Sequence, residues 1–159
     1  MSVVSVKGVK KTYPNGNEAV RDVSFDVDEG EFLFLSGPSG SGKTTLIRIL
    51  LKMEEATGGE VLVFDRNLSA LKASAIPYLR RNIGVIFQDF RLLQDRTVFE
   101  NLSLGLNILG LSRAEIGRRV EGVLYDLGID RYAGAYPAML SGGEQQRVAI
   151  GRALVMEPA

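Results

Sequence analysis

Residues 37–44 read Gly37-Pro38-Ser39-Gly40-Ser41-Gly42-Lys43-Thr44, and the architecture of the chain can be worked out from this stretch. It matches the pattern G-x-x-x-x-G-K-[ST], in which a glycine-rich loop leads into a helix. The glycines let the backbone curl so that successive N–H groups form a nest for an anion, and the helix adds the positive end of its dipole. Lys43 is suited to reach the outer phosphates of a nucleotide, and the Thr44 hydroxyl is an oxygen ligand of the kind Mg²⁺ prefers. The stretch therefore predicts a site for a nucleoside triphosphate.

The sequence on either side of this loop supports the interpretation. Residues 31–35, Glu-Phe-Leu-Phe-Leu, are a short apolar run typical of a strand buried on both faces, and residues 83–87 are a second such run. A helix is predicted from about residue 42 to residue 52. A serine-rich turn could contain Lys-Thr by chance, but a buried strand before the loop and an amphipathic helix after it favour the phosphate site.

The remaining pattern predicts an α/β fold. Residues 2–7 and 18–28 read as two antiparallel strands joined by a turn at 14–17, and residues 60–64 as a further short strand. Beyond residue 96 the pattern is helical, and three helix starts carry a capping box: Thr97 with Glu100, Ser112 with Glu115, and Ser141 with Glu144. We expect one domain over residues 1–159, with a mixed or parallel sheet, an N-terminal antiparallel β region and a helical subdomain inserted at about 90–140.

Composition excludes several kinds of protein. Lysine plus arginine balance aspartate plus glutamate at 19 each, so no net field favours nucleic acid as a partner. The chain has no cysteine and no histidine, which excludes disulfides, thiolate or imidazole metal sites and histidine-based catalysis. No apolar run approaches the ~20 residues that span a bilayer, so a membrane role would need a partner.

A second phosphate receptor is predicted near the C-terminus. Residues 140–147 read Leu-Ser-Gly-Gly-Glu-Gln-Gln-Arg, so Ser141 caps a helix whose first turn begins with two glycines. Its free N–H groups would form another anion site. An ordinary capped helix is the alternative, but two consecutive glycines are poor helix formers and such a helix would not favour them.

With these two motifs the whole chain resembles the ABC-type ATPases. The resemblance implies that ATP and Mg²⁺ bind, that Lys43 and Gln88 act in catalysis, that Thr44 and Gln88 hold the metal, and that Tyr13 stacks on adenine. It also implies a head-to-tail homodimer in which residues 140–144 complete the partner's site. The implied nucleotide-binding residues are Tyr13, Gly37, Pro38, Ser39, Gly40, Ser41, Gly42, Lys43, Thr44 and Thr45, and the implied signature residues are Leu140, Ser141, Gly142, Gly143 and Glu144.

Within this family the chain looks most like the branch that acts in cell division. Residues 76–81, 87–93 and 95–101 carry that likeness. It implies an integral membrane subunit as partner and a place on the cytoplasmic side of the plasma membrane, with Phe90, Leu92 and Leu93 expected at the contact. A lipoprotein or macrolide exporter and a non-hydrolysing nucleotide-binding module are the alternatives. A DNA-repair type is disfavoured because the chain has neither heptads nor cysteines.

Three further expectations concern single positions and the chain end. The sequence stops at Glu157-Pro158-Ala159, where the family's sequences continue toward the Walker B aspartate and the catalytic glutamate. We therefore expect a fragment that turns over little ATP by itself, although the complete protein would be an ATPase. Asp65, which follows an apolar run as a Walker B acid would, is predicted to be a turn residue instead. Gly151 stands where the family favours alanine, which mildly weakens the helix.

Overall fold

Four strands and five helices make up the part of the chain that the computed structural model describes, residues 2–159. The strands are β1 (Ser2–Thr12), β2 (Glu18–Asp28), β3 (Gly58–Val63) and β4 (Arg66–Asn67). The helices are α1 (Lys43–Leu50), α2 (Ile76–Arg81), α3 (Val98–Ile108), α4 (Arg113–Asp126) and α5 (Gly142–Leu154). The chain divides into two compact units, the first ending at Leu79 and the second running from Arg80 to Ala159. A separate subdomain over residues 90–140 stays a prediction.

An antiparallel sheet with the strand order β2-β1-β3-β4 forms the first unit. Val6 lies opposite Phe25 on one side and Val61 on the other, so β1 is the paired centre of the sheet. Gly16, with a φ of 81°, allows the tight turn between β1 and β2, where its N–H donates to Tyr13 O at 2.9 Å. The antiparallel opening of the chain is confirmed, and β1 continues further than residue 7, to Thr12.

A two-residue hairpin connects β3 to β4. Phe64 and Asp65 have φ values of 50° and 58°, and Val63 pairs with Arg66 across them. Positive φ at both central residues is the requirement of a type I′ turn, whose twist matches that of the strands. Asp65 is therefore a turn residue, as predicted, and it does not end a buried strand.

The two predicted buried strands are wrong for this chain. Residues 31–35 and 83–87 belong to no sheet among the described residues, and the side chains of Phe32 and Phe34 are 80% and 81% exposed. A strand exists only where a neighbouring strand supplies hydrogen-bonding partners, and the sheet contains β1 to β4 alone. The apolar composition of these runs thus favours burial, but it does not ensure that a neighbouring strand is present to bury them.

Helices α3, α4 and α5 enclose the core of the second unit, with Leu102, Leu106, Val120, Leu124 and Val148 almost fully buried. None of the helices within residues 2–159 combines the length and apolar character that crossing a bilayer requires.

Serine and threonine side chains cap all three helices, as predicted, but one capping box is only half formed. Thr97 with Glu100 and Ser141 with Glu144 form both reciprocal hydrogen bonds. Ser112 Oγ accepts from Glu115 N–H at 3.2 Å, but the Glu115 carboxylate turns toward Arg118 and Arg119 instead. The competing arginines, one turn further along α4, explain why the reciprocal bond is absent. They also lower the pKa of Glu115, the hydrogen bond from Arg119 being the largest cause.

Helix α4 ends at a glycine. Gly128 has a φ of 63° and donates to Tyr125 O at 3.0 Å, while Ile129 N–H donates to Leu124 O at 3.0 Å. These two bonds define a Schellman motif, in which a left-handed residue satisfies the last carbonyls of a helix. Ile129 and Leu124 are both buried, so the chain reversal also adds an apolar contact to the core.

Candidate nucleotide-binding site

The glycine-rich loop enters α1 through a left-handed residue. Gly42, the N-cap, has a φ of 90°, and a Cβ placed there would lie far inside the van der Waals distance of Ala19 O on β2. Glycine is therefore required twice, once for the backbone conformation and once for the close approach to the strand. This contact fixes the start of α1 against the sheet.

The N-terminus of α1 differs from the other long helix starts in the described chain. No side chain caps it and no acidic residue lies in its first turn, whereas α3, α4 and α5 each have a serine or threonine cap and a glutamate. The first N–H groups of a helix have no partner within the helix and carry the positive end of its dipole. An anion in the loop would supply the acceptor that no side chain provides.

The Lys43 ammonium lies on the inner side of the loop. Its Nζ donates to Gly37 O at 2.6 Å and to Pro38 O at 2.7 Å, and it lies 3.3 Å from Ser41 Oγ. These neutral oxygens hold the side chain curled over residues 37–41. A phosphate is a stronger acceptor for an ammonium than a carbonyl is, so an anion entering the loop would replace these bonds.

A concavity of about 570 Å³ opens beside the loop. That volume falls within the range of small-molecule sites. Its walls come from β2, the loop and the start of α1, and are formed by residues 18–21, 23, 35–38, 40–43 and 46. The loop therefore borders a space large enough for a ligand.

Tyr13, which directly follows β1, contacts α1 through its hydroxyl. Tyr13 Oη lies 3.3 Å from Thr45 Oγ1, and Lys11 Nζ lies 5.0 Å from the centre of the tyrosine ring. Lys11 is held in turn by Glu55 O at 2.8 Å and by the Glu54 carboxylate at 3.2 Å. The ring is thus oriented at its hydroxyl and approached by a cation, which restricts how an aromatic base could stack on it.

The predicted metal ligands are neutral oxygens on exposed side chains. Thr44 lies in the first turn of α1, in the first unit, and Gln88 lies in a turn over residues 87–90, in the second unit. Residues 2–159 contain no cluster of three aspartate, glutamate, histidine or cysteine side chains that could hold a metal alone. A single hydroxyl such as that of Thr44 fits Mg²⁺ only in the usual nucleotide arrangement, where phosphate oxygens and water supply most of the ligands.

An arginine that the sequence did not single out holds the backbone after Gln88. Phe90 and Arg91 have positive φ values of 56° and 49°, and the Arg152 guanidinium on α5 donates to the carbonyls of both residues, at 2.7 Å and 2.6 Å. Half burial lowers the pKa of Arg152, which still stays protonated at neutral pH. Local patterns give no signal for this contact because the partners are 61 and 62 residues apart.

The second predicted phosphate receptor, at the start of α5, already contains an acid. The Glu144 carboxylate accepts from Ser141 N–H at 2.8 Å and from Ser141 Oγ at 2.7 Å. A hydrogen bond from Tyr132, followed by those from Ser141, lowers the pKa of Glu144 to about 2. A Cβ added at Gly142 or at Gly143 would meet nothing within 4 Å, so packing inside the chain does not explain either glycine.

The structure changes the predicted membrane contact at Leu92 and adds a buried residue, Asn101, that the sequence analysis did not single out. Leu92 is only 8% exposed and belongs to the core, so of the predicted membrane contacts Leu93 remains the exposed one, at 39%. Asn101, which is fully buried, was missed. Its side chain bonds Leu93 N–H, Leu93 O, Arg96 O and Thr97 O, and so shapes the loop before α3. An asparagine between Val98 and Leu102 on the apolar face of α3 was the available signal.

Comparison with known proteins bears on this geometry. Residues 20–159 match the ABC transporter family. The chain is 44% identical over 158 residues to the cell division ATP-binding protein FtsE of Streptococcus pneumoniae, covering 99% of this chain and 69% of that protein. It is 42% identical over 156 residues to FtsE of Bacillus subtilis, covering 98% and 68%. The exporter alternative is not favoured by these relatives.

Solved structures agree with the fold. The dimeric structure of MJ0796, a bacterial ABC transporter cassette, matches with a TM-score of 0.88 and 37% identity over 98% of this chain and 70% of that one. A post-hydrolysis structure of the same cassette, bound to ADP and Pi, matches equally well. The α/β fold with an N-terminal antiparallel sheet is therefore confirmed as that of an ABC cassette.

Proposed function

Because the chain belongs to the ABC transporter family, we propose that it binds ATP with Mg²⁺ through residues 37–45 and serves as the ATP-binding subunit of an FtsE-like complex. The observation that carries this proposal is the start of α1, where an uncapped helix N-terminus, a left-handed glycine and the curled Lys43 ammonium come together. Each of these features favours an anion, and the adjoining concavity provides space for it.

The proposal assigns a role to each residue of the site. Residues 37–42 and the first N–H groups of α1 hold the β- and γ-phosphates, and the Lys43 ammonium leaves Gly37 O and Pro38 O to bind them. Thr44 would supply a protein ligand to Mg²⁺, beside phosphate oxygens and water. The aromatic ring of Tyr13, held by Thr45 and Lys11, offers a surface on which adenine stacks.

A titration with a fluorescent ATP analogue and Mg²⁺ tests this proposal. Lys43→Ala removes a charge-assisted interaction worth about 2–3 kcal/mol, so Kd should rise by about 30- to 150-fold. Lys72→Ala, which removes an exposed lysine far from the loop in sequence, is the matched control and should bind as the parent does. Equal affinity of parent and Lys43→Ala would overturn the assignment of the loop. Inorganic tripolyphosphate should compete with the analogue, because the phosphates supply most of the contacts.

We further propose a head-to-tail homodimer in which residues 140–144 contact the nucleotide of the other copy. Support comes from Gly142 and Gly143, which leave open space at the start of α5, and from the dimeric MJ0796 cassette. Gly143→Val should abolish ATP-dependent dimers in sedimentation while leaving the monomer folded. Gly122→Val is the matched control, since Gly122 is also a helical glycine whose added Cβ would meet nothing.

The last part of the proposal is a membrane partner of the FtsX kind, at the cytoplasmic side of the plasma membrane. FtsE relatives and the exposed Leu93 side chain support it. Leu93→Asp should weaken co-purification with such a subunit, whereas Leu109→Asp, at a comparably exposed leucine, should not. Equal recovery of the subunit with both variants would remove Leu93 from the contact.

A further inference from the structure

Two successive residues after Gln88 adopt a conformation that side chains disfavour. Phe90 and Arg91 have φ values of 56° and 49°, in the left-handed region that glycine occupies most easily. Bulky residues stay there only where their surroundings hold them. Phe90 N–H donates to Phe87 O at 3.0 Å and Arg91 N–H donates to Asp89 O at 2.6 Å, but neither of these local bonds involves the carbonyls of Phe90 or Arg91.

The Arg152 guanidinium adds a long-range contact that binds those two carbonyls. Its Nη2 donates to Phe90 O at 2.7 Å and its Nη1 to Arg91 O at 2.6 Å, so one planar group binds two adjacent carbonyls. Charge-assisted bonds of this length are strong, and the fork of donors is fixed by the guanidinium itself. A lysine ammonium lacks that planar fork and could not reproduce the paired geometry.

The side chain of Arg91 makes contacts of its own, with an aromatic ring and a carboxylate. Its guanidinium lies 4.0 Å from the centre of the Phe87 ring, and its Nε lies 3.3 Å from the Asp89 carboxylate. Asp89 thus balances the charge of Arg91, and Arg152 acts on the main chain alone. The contacts of the two arginines are therefore separable by mutation.

We propose that Arg152 is a positioning residue that holds Phe90 and Arg91 in the left-handed conformation and thereby fixes how Gln88 is presented. Arg152 lies on α5, the helix that begins with Gly142 and Gly143. Through this bidentate contact the signature helix and the Gln88 segment move as one body. We call the contact of Arg152 with Phe90 O and Arg91 O the clamp. The role of Gln88 rests on the proposed function, whereas the clamp does not.

Hydrogen exchange of the whole chain tests the clamp. In Arg152→Gln, amides of residues 88–93 should exchange about tenfold faster or more, while those of α3 and α4 change less than about twofold. Arg152→Lys should fall between the two, and Arg113→Gln, which removes an exposed arginine at the start of α4, should match the parent. Unchanged exchange at residues 88–93 in Arg152→Gln would overturn the proposal.

The variant Arg91→Gly distinguishes two roles of Arg152: holding residues 90 and 91 in the left-handed conformation, and supporting the fold in general. Because glycine adopts a φ near 49° without strain, Arg152→Gln should accelerate exchange several-fold less in an Arg91→Gly background. Equal acceleration in both backgrounds would mean that Arg152 only supports the packing of α5. This comparison also holds if Arg152→Gln loosens the whole unit, since both backgrounds then share that effect.

Binding of Mg²⁺ and ATP provides the functional readout. Without Mg²⁺, the parent and Arg152→Gln should bind ATP with Kd values within about twofold, because the loop at residues 37–45 is untouched. ATP should slow exchange at Gln88 in the parent and several-fold less in the variant. If ATP slows exchange equally in both, Arg152 does not position Gln88. If the parent binds no ATP, the proposed function is wrong. Hydrogen exchange measured without nucleotide in the parent and in Arg152→Gln still tests the contact of Arg152 with Phe90 and Arg91.

Discussion

Replacing Asn101 gives the sharpest test of how the loop before α3 is held. Its Nδ2 shares two hydrogens among Leu93 O, Arg96 O and Thr97 O, at 3.0, 3.1 and 2.9 Å, and its Oδ1 accepts from Leu93 N–H at 2.8 Å. Thr97 O also accepts from Asn101 N–H, and Leu93 O from Arg96 N–H, so these carbonyls keep a partner after truncation. Leu93 N–H and Arg96 O lose theirs. At about 1–2 kcal/mol for each orphaned group beside a protein surface, Asn101→Ala should cost about 2–4 kcal/mol.

Urea denaturation, followed by circular dichroism at 222 nm, measures this loss because the second unit contributes most of the helix. Asn107→Ala on the same helix is the control. Asn107 is exposed and its side chain makes one hydrogen bond, to Ser103 O at 2.9 Å, so its loss should change the free energy of unfolding by less than about 0.5 kcal/mol. Asn101→Asp should be at least as damaging as Asn101→Ala, since a carboxylate would face three carbonyls. Equal midpoints for Asn101→Ala and Asn107→Ala would refute the reasoning.

Three further predictions concern single residues. Gly42→Ala should abolish binding of the ATP analogue, since its Cβ collides with Ala19 O, and retained affinity would contradict that geometry. The Glu144 carboxyl, whose pKa falls from 4.5 to about 2 on folding, stabilises the fold above pH 4.5, and this contribution is lost as the pH falls toward 2. Denaturation midpoints of Glu144→Gln should therefore fall less over that range than those of the parent. Gly151→Ala should change the free energy of unfolding by less than about 1 kcal/mol, because better helix propensity offsets a Cβ that would lie 3.0, 3.1 and 3.3 Å from Leu127 Cδ1, Leu102 Cδ2 and Val123 Cγ1; a larger loss would show that these side chains cannot shift.

Features that depend on neighbours in sequence were predictable. The glycine-rich loop, the start of α1, the serine and threonine caps and the Schellman motif at Gly128 all arise from residues within a few positions of one another. Backbone N–H and carbonyl groups at helix ends must find partners locally, so residue types there carry strong signals. The same reasoning explains why Asp65 was correctly placed in a turn.

Features that depend on distant partners were not predictable. Residues 31–35 have the composition of a buried strand, but composition does not tell whether another strand lies beside them. Arg152 meets Phe90 and Arg91 across a long stretch of sequence, and an arginine on an amphipathic helix is ordinarily a solvent-exposed residue. Lys43 shows a third limit of prediction from sequence. The loop pattern predicts that Lys43 binds a nucleotide, but it does not predict the hydrogen bonds of Lys43 to Gly37 O and Pro38 O.

The exposed side chains of residues 32–35 affect how the protein should behave in concentrated solution. Phe32 and Phe34 meet edge to face, 4.8 Å apart, beside Leu33 and Leu35, and the four form a β-prone apolar patch without proline or charge. Such a patch favours adhesion between molecules, restrained here by the neighbouring Glu29 and Glu31. Self-association through it would increase with salt and with protein concentration and would be indifferent to nucleotide. Only the part of any oligomer that appears on adding ATP, and disappears in Gly143→Val, therefore bears on the proposed homodimer.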